Sequence, residues 1–159
     1  MIFFNNLTFG QSGSGLPLRG QGLYKWYFLQ VYEAKLWGEK VEDIYTKPLE
    51  LELKYKRNFK GEDIVKQSLK EMAPHVGENE QLSIEKINSI LRKIFPDVKE
   101  GDVISAKFNP SNGIIFYLNF NKEIGKISDL ELSKKFLDIW LGEKTNAPDL
   151  RNQLLGNNI

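Results

Sequence analysis

The chain has 159 residues, with 22 Lys and Arg, 21 Asp and Glu, one histidine and no cysteine. The absence of cysteine excludes disulfide scaffolds, zinc fingers and cysteine nucleophiles, and one histidine is too few for an imidazole metal site. Because no Asp/Glu cluster has the spacing of an oxygen-only cage, neither a metal nor another cofactor is expected. The net charge of +1 provides no field that would attract nucleic acid.

The length predicts one domain, spanning residues 1–159. Residues 1–18 carry no charged side chain, but Asn, Gln and Gly interrupt them too often for a membrane span. They also lack the basic start of a secretory leader. We therefore expect a soluble protein, periplasmic if a leader precedes this sequence and cytoplasmic otherwise. The oligomeric state is left open.

Strand patterns dominate the first third of the chain. Residues Ile2–Phe9 are aromatic and β-prone, and a Gly/Ser-rich connector follows them. Residues Leu23–Trp37 are apolar at both even and odd positions, which predicts one long central strand that is bent or bulged midway. Apolar and charged residues alternate over Leu49–Tyr55, which predicts a strand with one face in solvent.

Helical patterns and a hairpin follow. Apolar residues at helical spacing predict helices over Glu62–Met72 and, after Ser83, over Ile84–Phe95. The turn residues at 109–113 predict an antiparallel hairpin between Val103–Phe108 and Ile114–Phe120. A short final strand is expected before Gly125.

Two helices are predicted at the C-terminal end. Ser128 and Glu131 have the spacing of a capping box for a helix that Gly142 ends. Pro148 is placed at the start of a short closing helix that runs to Leu155. Strands, two helices, strands and two helices in that order predict an α+β fold, an antiparallel sheet with a layer of helices on one face.

The aromatic segment Leu23–Trp37 is the most prominent feature of the sequence. Its tyrosines and tryptophans are compatible with a solid aromatic core. They are also compatible with a cavity between sheet and helices, lined by Tyr24, Tyr32 and Trp140, because ligand cavities are mainly apolar with few polar groups. Periodicity alone favours the core.

Four segments in order resemble bacterial chalcone isomerase-like proteins. The first is LRGQGLYKWYFLQVYEAKLW at Leu18–Trp37, and the others lie at 95–102, 113–121 and 136–156. The resemblance implies that family's fold, an open-faced β-sandwich in which a large antiparallel sheet is backed by helices. It therefore agrees with the α+β class reached from the pattern of elements.

The resemblance also implies a ligand cleft between sheet and helices. In the plant enzymes this cleft binds a chalcone and closes it to a flavanone, with an arginine that stabilises developing negative charge. Related members use the same arginine and a tyrosine to hold the carboxylate of a fatty acid.

At the positions that carry these roles, this chain has different residues. The arginine falls on Tyr24 and the catalytic threonine on Tyr32, while the other family positions fall at or near Gln81, Asn88, Ile139 and Trp140. A tyrosine is neutral where arginine is a fixed cation, and losing such a charge at an oxyanion costs on the order of 10²–10³ in rate. Two cations lie close by, and Arg19 is the better substitute because Lys25 points to the opposite face of a regular strand.

Three hypotheses follow from these residues. The first is a non-catalytic protein that binds a small apolar or fatty-acid-like ligand between sheet and helices. The second is a weak intramolecular lyase in which Tyr24 donates a proton and Arg19 supplies the charge. The third is a structural or interaction module whose aromatic residues fill a solid core.

Overall fold

The structure is a computed structural model that describes residues 15–77 and 81–157, with side chains throughout except at 81–83. The predicted strand Ile2–Phe9 lies outside these described residues. Within the described ranges the chain forms an α+β fold, an open antiparallel sheet backed by helices, as expected from the sequence.

The sheet has six strands in the described residues, and each strand pairs with the next along the chain. The strands are β1 Leu18–Trp26, β2 Leu29–Gly38, β3 Leu49–Tyr55, β4 Val103–Asn109, β5 Gly113–Leu118 and β6 Lys122–Ile127. All neighbouring pairs are antiparallel. The predicted hairpin of β4 and β5 and the predicted strand β3 are confirmed.

The prediction of one long strand over Leu23–Trp37 is wrong. The segment is a hairpin whose two-residue turn is Tyr27-Phe28, with Trp26 paired to Leu29. Tyr27 adopts a φ of 56°, a left-handed conformation that large side chains rarely take. Because the turn contains neither Gly nor Asn, the usual residues of tight hairpins, the sequence carries no turn signal at this point.

The prediction that β3 has a wet face holds at Lys54, which is exposed, but is wrong at the two glutamates of that face. Glu50 and Glu52, on the face away from the helices, are buried like the leucines between them. Trp37, a β2 residue on the same face, donates a hydrogen bond from Nε1 to Glu52 Oε1 at 3.1 Å. Alternation of charged residues predicted solvent here, but a carboxylate with a hydrogen-bond partner tolerates burial.

Four α-helices cover one face of the sheet. They are α1 Gly61–Met72, α2 Gln81–Ile94, α3 Leu130–Leu141 and α4 Pro148–Leu155. These bounds agree with the predicted helices to within a few residues. The capping prediction is corrected, because the side chain of Asp129, not Ser128, accepts a hydrogen bond from the Leu132 amide. None of the helices in the described ranges has the length and apolarity to cross a membrane.

Helix α4 lies directly against the edge strand β1. A Cβ at Gly20 would clash with the backbone carbonyl oxygens of Gln153 and Leu154, so the helix approaches a strand that has no side chain there. Gly156 ends α4 in a left-handed conformation with φ of 74°. The glycines of β1 therefore serve helix packing.

Candidate functional site

Three tyrosines form a row across the helix-facing side of the sheet. In the strand register, Tyr24 of β1 pairs with Tyr32 of β2, which pairs with Tyr55 of β3. The rings of Tyr24 and Tyr32 are stacked with centroids 5.0 Å apart, and Tyr55 meets Tyr32 edge to face at 5.9 Å. Residues opposite each other on adjacent strands point to the same face, so the register alone brings the three rings together.

Helix α3 places two aromatic residues over this row. Phe136 and Trp140 are four residues apart, one helical turn, and both face the sheet. Trp140 donates a hydrogen bond from Nε1 to the hydroxyl of Tyr32 at 2.8 Å, which fixes the distance between helix and sheet at this point. Phe136 also packs against Phe95 and Phe116, which close the far side.

A cavity of about 370 Å³ lies between the tyrosine row, α1 and α3. Its walls are mainly aromatic and aliphatic: Tyr24, Trp26, Val31, Tyr32, Leu51, Leu53, Tyr55, Phe59, Ile64, Phe95, Ile104, Ala106, Phe116, Phe136 and Trp140. Of these side chains, Trp26 is the most exposed. The hydrophobic layer between sheet and helices therefore contains open space beside Tyr24 and Tyr32, which a solid core would fill.

Helix α1 supplies most of the polar groups of the cavity. Ile64, Gln67, Ser68 and Glu71 follow the i, i+3, i+4, i+7 spacing of one helix face and all line the cavity. Ser68 donates its hydroxyl to the Ile64 carbonyl at 2.7 Å, and Gln67 donates to Glu71 Oε1 at 2.9 Å. Two further lining residues of this helix, Asp63 and Lys70, are exposed.

The electrostatics of the cavity are dominated by burial and by Glu71. Burial raises the pKa of Tyr24, Tyr32 and Tyr55, and the negative charge of Glu71 raises each of them further. Burial also raises the pKa of Glu71, an effect that the hydrogen bond from Gln67 opposes. All three phenols are therefore neutral hydrogen-bonding groups near neutral pH.

Arg19 lies away from the cavity. Its Nε donates to the carbonyl of Leu155 at 3.0 Å, and Nη1 is 3.5 Å from the carbonyl of Glu39. A cation at the C-terminal end of α4 is favourable, because the last helix carbonyls lack partners within the helix. Arg19 lines a second, more open cleft, so it does not lie beside Tyr24 in place of the missing arginine.

The remaining residues expected at the site lie on helices α3 and α2. Trp140 lines the cavity, but its neighbour Ile139 is buried beside it and does not line it. Asn88, on α2, is half-buried and outside the cavity lining. The side chain of Gln81 lies outside the described residues. The structure thus brings together Tyr24, Tyr32 and Trp140 and leaves Arg19, Asn88 and Ile139 outside the cavity lining.

Sequence comparison identifies the family of the chain. The family model described as chalcone isomerase-like matches residues 4–156, nearly the whole sequence. The chain belongs to the chalcone isomerase-like family. No curated protein matches the sequence.

A solved structure shares the fold of this chalcone isomerase-like protein. It is the crystal structure of a fatty-acid binding protein of Arabidopsis thaliana, with a TM-score of 0.62. The match covers 88% of this chain and 86% of the other, at 13% sequence identity. At that identity the likeness concerns the fold, the open sheet backed by helices.

Several residues that line the cavity were not predicted from the sequence. Glu71 and Ser68 are polar residues beside the apolar stripe from which α1 was predicted. Ile64, seven and four residues before them, was the one apolar residue that indicated that this part of the helix faces the core. Ala106 lines the cavity because it pairs with Leu51 and Phe116, a register that the sequence does not reveal. No group of metal-binding side chains occurs in the described part of this chalcone isomerase-like chain.

Proposed function

We propose that this chalcone isomerase-like protein binds one small, mainly apolar molecule in the cavity between sheet and helices, without catalysing its conversion. The observation that carries the proposal is the cavity itself, whose volume of about 370 Å³ lies within the usual range for small-molecule sites. Its aromatic and aliphatic lining suits an alkyl chain, as in a fatty acid, or a flat aromatic molecule. The fatty-acid binding name of the Arabidopsis structure supports the same class.

The proposed ligand contacts are Tyr24, Tyr32 and Trp140. The Trp140 indole occupies one lone pair of the Tyr32 hydroxyl, while the stacked ring of Tyr24 forms the wall next to it. A ligand in the cavity contacts these rings through their faces and edges. Burying its apolar surface there provides the driving force, about 25 cal/mol per Å² removed from water.

The absence of a fixed cation at Tyr24 supports a non-catalytic role. Cyclisation of a chalcone develops negative charge on oxygen, and the neutral phenol of Tyr24 stabilises that charge less than a guanidinium does. Arg19 is held by carbonyl oxygens at the end of α4. Lys70, exposed on α1, is the only cationic side chain among the lining residues.

Native mass spectrometry of the purified protein, followed by calorimetric titration with alkyl and chalcone probes, tests the proposal. We expect one molecule bound per chain, with a negative heat-capacity change because apolar surface is buried. Binding only at millimolar concentrations would contradict the binding function. Cyclisation of a chalcone faster than its spontaneous rate, with the excess lost in Tyr24→Phe, would contradict the non-catalytic role.

A further inference from the structure

The polar groups of the cavity carry a negative balance of charge. Asp63 and Glu71 line it, against one cationic residue, Lys70. Within the described residues neither carboxylate has an ion-pair partner. Glu71 is half-buried, whereas Asp63 and Lys70 are exposed, so the charge closest to the apolar interior is negative.

Glu71 lines the cavity, so its carboxylate is available to a bound ligand. It accepts a hydrogen bond from Gln67, one turn earlier on α1, at 2.9 Å, which orients the carboxylate. It lines the same cavity as Tyr24, Tyr32 and Tyr55. A ligand that enters between α1 and this row meets the carboxylate together with aromatic rings.

Charge and ring faces together favour one kind of head group. An ammonium ion is attracted by the faces of Trp and Tyr rings and by a carboxylate, and both attractions strengthen where water is excluded. A ligand carboxylate in the same place is repelled by Glu71, and a neutral hydroxyl gains only a hydrogen bond. We infer that the ligand is an amphiphile whose apolar part fills the cavity and whose cationic ammonium head lies beside Glu71. This inference rests on the proposed binding function.

Three probes with the same alkyl chain and different head groups test it: dodecylamine, dodecanol and dodecanoic acid. Each is titrated calorimetrically below its aggregation concentration near neutral pH. We expect the amine to bind about tenfold more tightly than the alcohol, and the acid to bind most weakly. In Glu71→Gln, which keeps an oxygen to accept from Gln67, the amine should lose about tenfold in affinity while the alcohol is unchanged.

The matched control is Glu62→Gln, which removes a carboxylate of the same helix that does not line the cavity. The amine should keep its affinity in this variant. Equal affinities of amine and alcohol, tightest binding of the acid, or an unchanged amine affinity in Glu71→Gln would overturn the inference and leave the binding function standing. Failure of all three probes to bind would contradict the proposed function instead.

A different observation concerns the tip of the first hairpin. Tyr27 and Phe28 are 82% and 86% exposed, and Trp26, which also lines the cavity, is 58% exposed. Three consecutive exposed aromatic residues are unusual on a protein surface and mark an interaction site. The rings of Trp26 and Tyr27 meet edge to face with centroids 5.0 Å apart.

Cationic side chains lie in the two chain segments next to this tip. The amide of Lys56 donates to the carbonyl of Val31 at 2.8 Å, so the segment after β3 lies beside the hairpin. Residues 25–30 and 56–60 together contain four cationic side chains and no acidic one: Lys25, Lys56, Arg57 and Lys60. Glu33 pairs with Lys56 at 3.4 Å, and the amide of Glu100 donates to Asn58 Oδ1 at 2.8 Å, so two acidic residues also lie beside these segments.

Aromatic rings next to cationic side chains match the surface of an anionic bilayer. Trp and Tyr favour the lipid head-group region, and Lys and Arg are attracted by acidic lipids. We propose that the tip at residues 26–28 docks on an anionic lipid surface. Trp26 then joins that surface to the cavity, so an apolar ligand passes between bilayer and cavity with little exposure to water.

Cosedimentation with vesicles of phosphatidylcholine, with and without phosphatidylserine, tests the docking. We expect binding only to the anionic vesicles and about a tenfold loss of binding in the double variant Tyr27→Ser, Phe28→Ser. The single variant Phe28→Trp keeps an aromatic ring that favours the lipid head-group region, so it should retain binding. Equal binding of the double variant, or absence of binding by the unmodified chain, would overturn the proposal. Self-association through the tip, detected by light scattering in the absence of vesicle binding, would also overturn the proposal.

Discussion

Gly20→Ala is expected to lower the free energy of unfolding by about 3 kcal/mol. Gly20 has ordinary extended backbone, so an added methyl group brings no conformational strain; the cost comes from the clash with the carbonyl oxygens of Gln153 and Leu154. Because these are backbone atoms, no side-chain rotation relieves it. Helix α4 must move away from β1, and apolar contact and the Arg19 hydrogen bond to Leu155 are lost with it.

Thermal unfolding followed by circular dichroism measures this effect. For a chain of this length a loss of about 3 kcal/mol lowers the melting temperature by about 10 °C. Gln21→Ala is the matched control, because Gln21 is exposed on the same strand and an alanine there should change stability by less than about 0.5 kcal/mol. Equal melting temperatures of the two variants would show that α4 does not depend on the glycine.

The sequence predicted those elements whose patterns are local. Helices α1, α3 and α4 follow from apolar spacing together with Pro148 and Gly142, and the hairpin of β4 and β5 follows from its turn residues. Each of these signals acts within a few residues and is independent of tertiary contacts. The first hairpin was missed because its turn, Tyr27-Phe28, contains neither Gly nor Asn, although Tyr27 takes a left-handed conformation.

The candidate site, too, could be predicted only in part from the sequence. Tyr24 and Tyr32 share a face because a two-residue turn pairs them, although the sequence suggested a single strand on which even positions also share a face. The two tyrosines do share a face, but through pairing across a hairpin and not through spacing along one strand. The role of Arg19 could not be predicted, because its partner Leu155 is 136 residues away and only the tertiary fold brings them together.

A cluster of aromatic ring contacts forms one wall of the cavity. Phe95, Phe116, Phe136 and Trp140 form a chain of ring contacts with centroids 5.3 to 6.0 Å apart. These rings support one wall without filling the volume beside the tyrosine row. Because these rings also line the cavity, a variant that tests binding without removing a wall is best placed at a small lining residue, Ala106.

Ala106→Phe is expected to abolish ligand binding while preserving the fold. Ala106 is buried on β4, between Leu51 and Phe116 in register, and its small side chain leaves part of the cavity empty. A benzyl group at this position extends into that space and occupies volume that the ligand needs. We expect the affinity for apolar probes to fall by at least about 100-fold, a loss of about 2.7 kcal/mol in binding free energy.

The stability of the variant separates cavity filling from misfolding. Filling an existing cavity commonly raises stability by about 0.5 to 2 kcal/mol, whereas overpacking a solid core lowers it by about 1 to 3 kcal/mol. Lys107→Phe is the matched control, since the adjacent residue of β4 points to the opposite face and already lies over the Tyr117 ring. Calorimetric titration of both variants should show binding lost only in Ala106→Phe. Unchanged affinity in Ala106→Phe would place the ligand elsewhere, and marked destabilisation would mean that the space beside Ala106 is closed in solution.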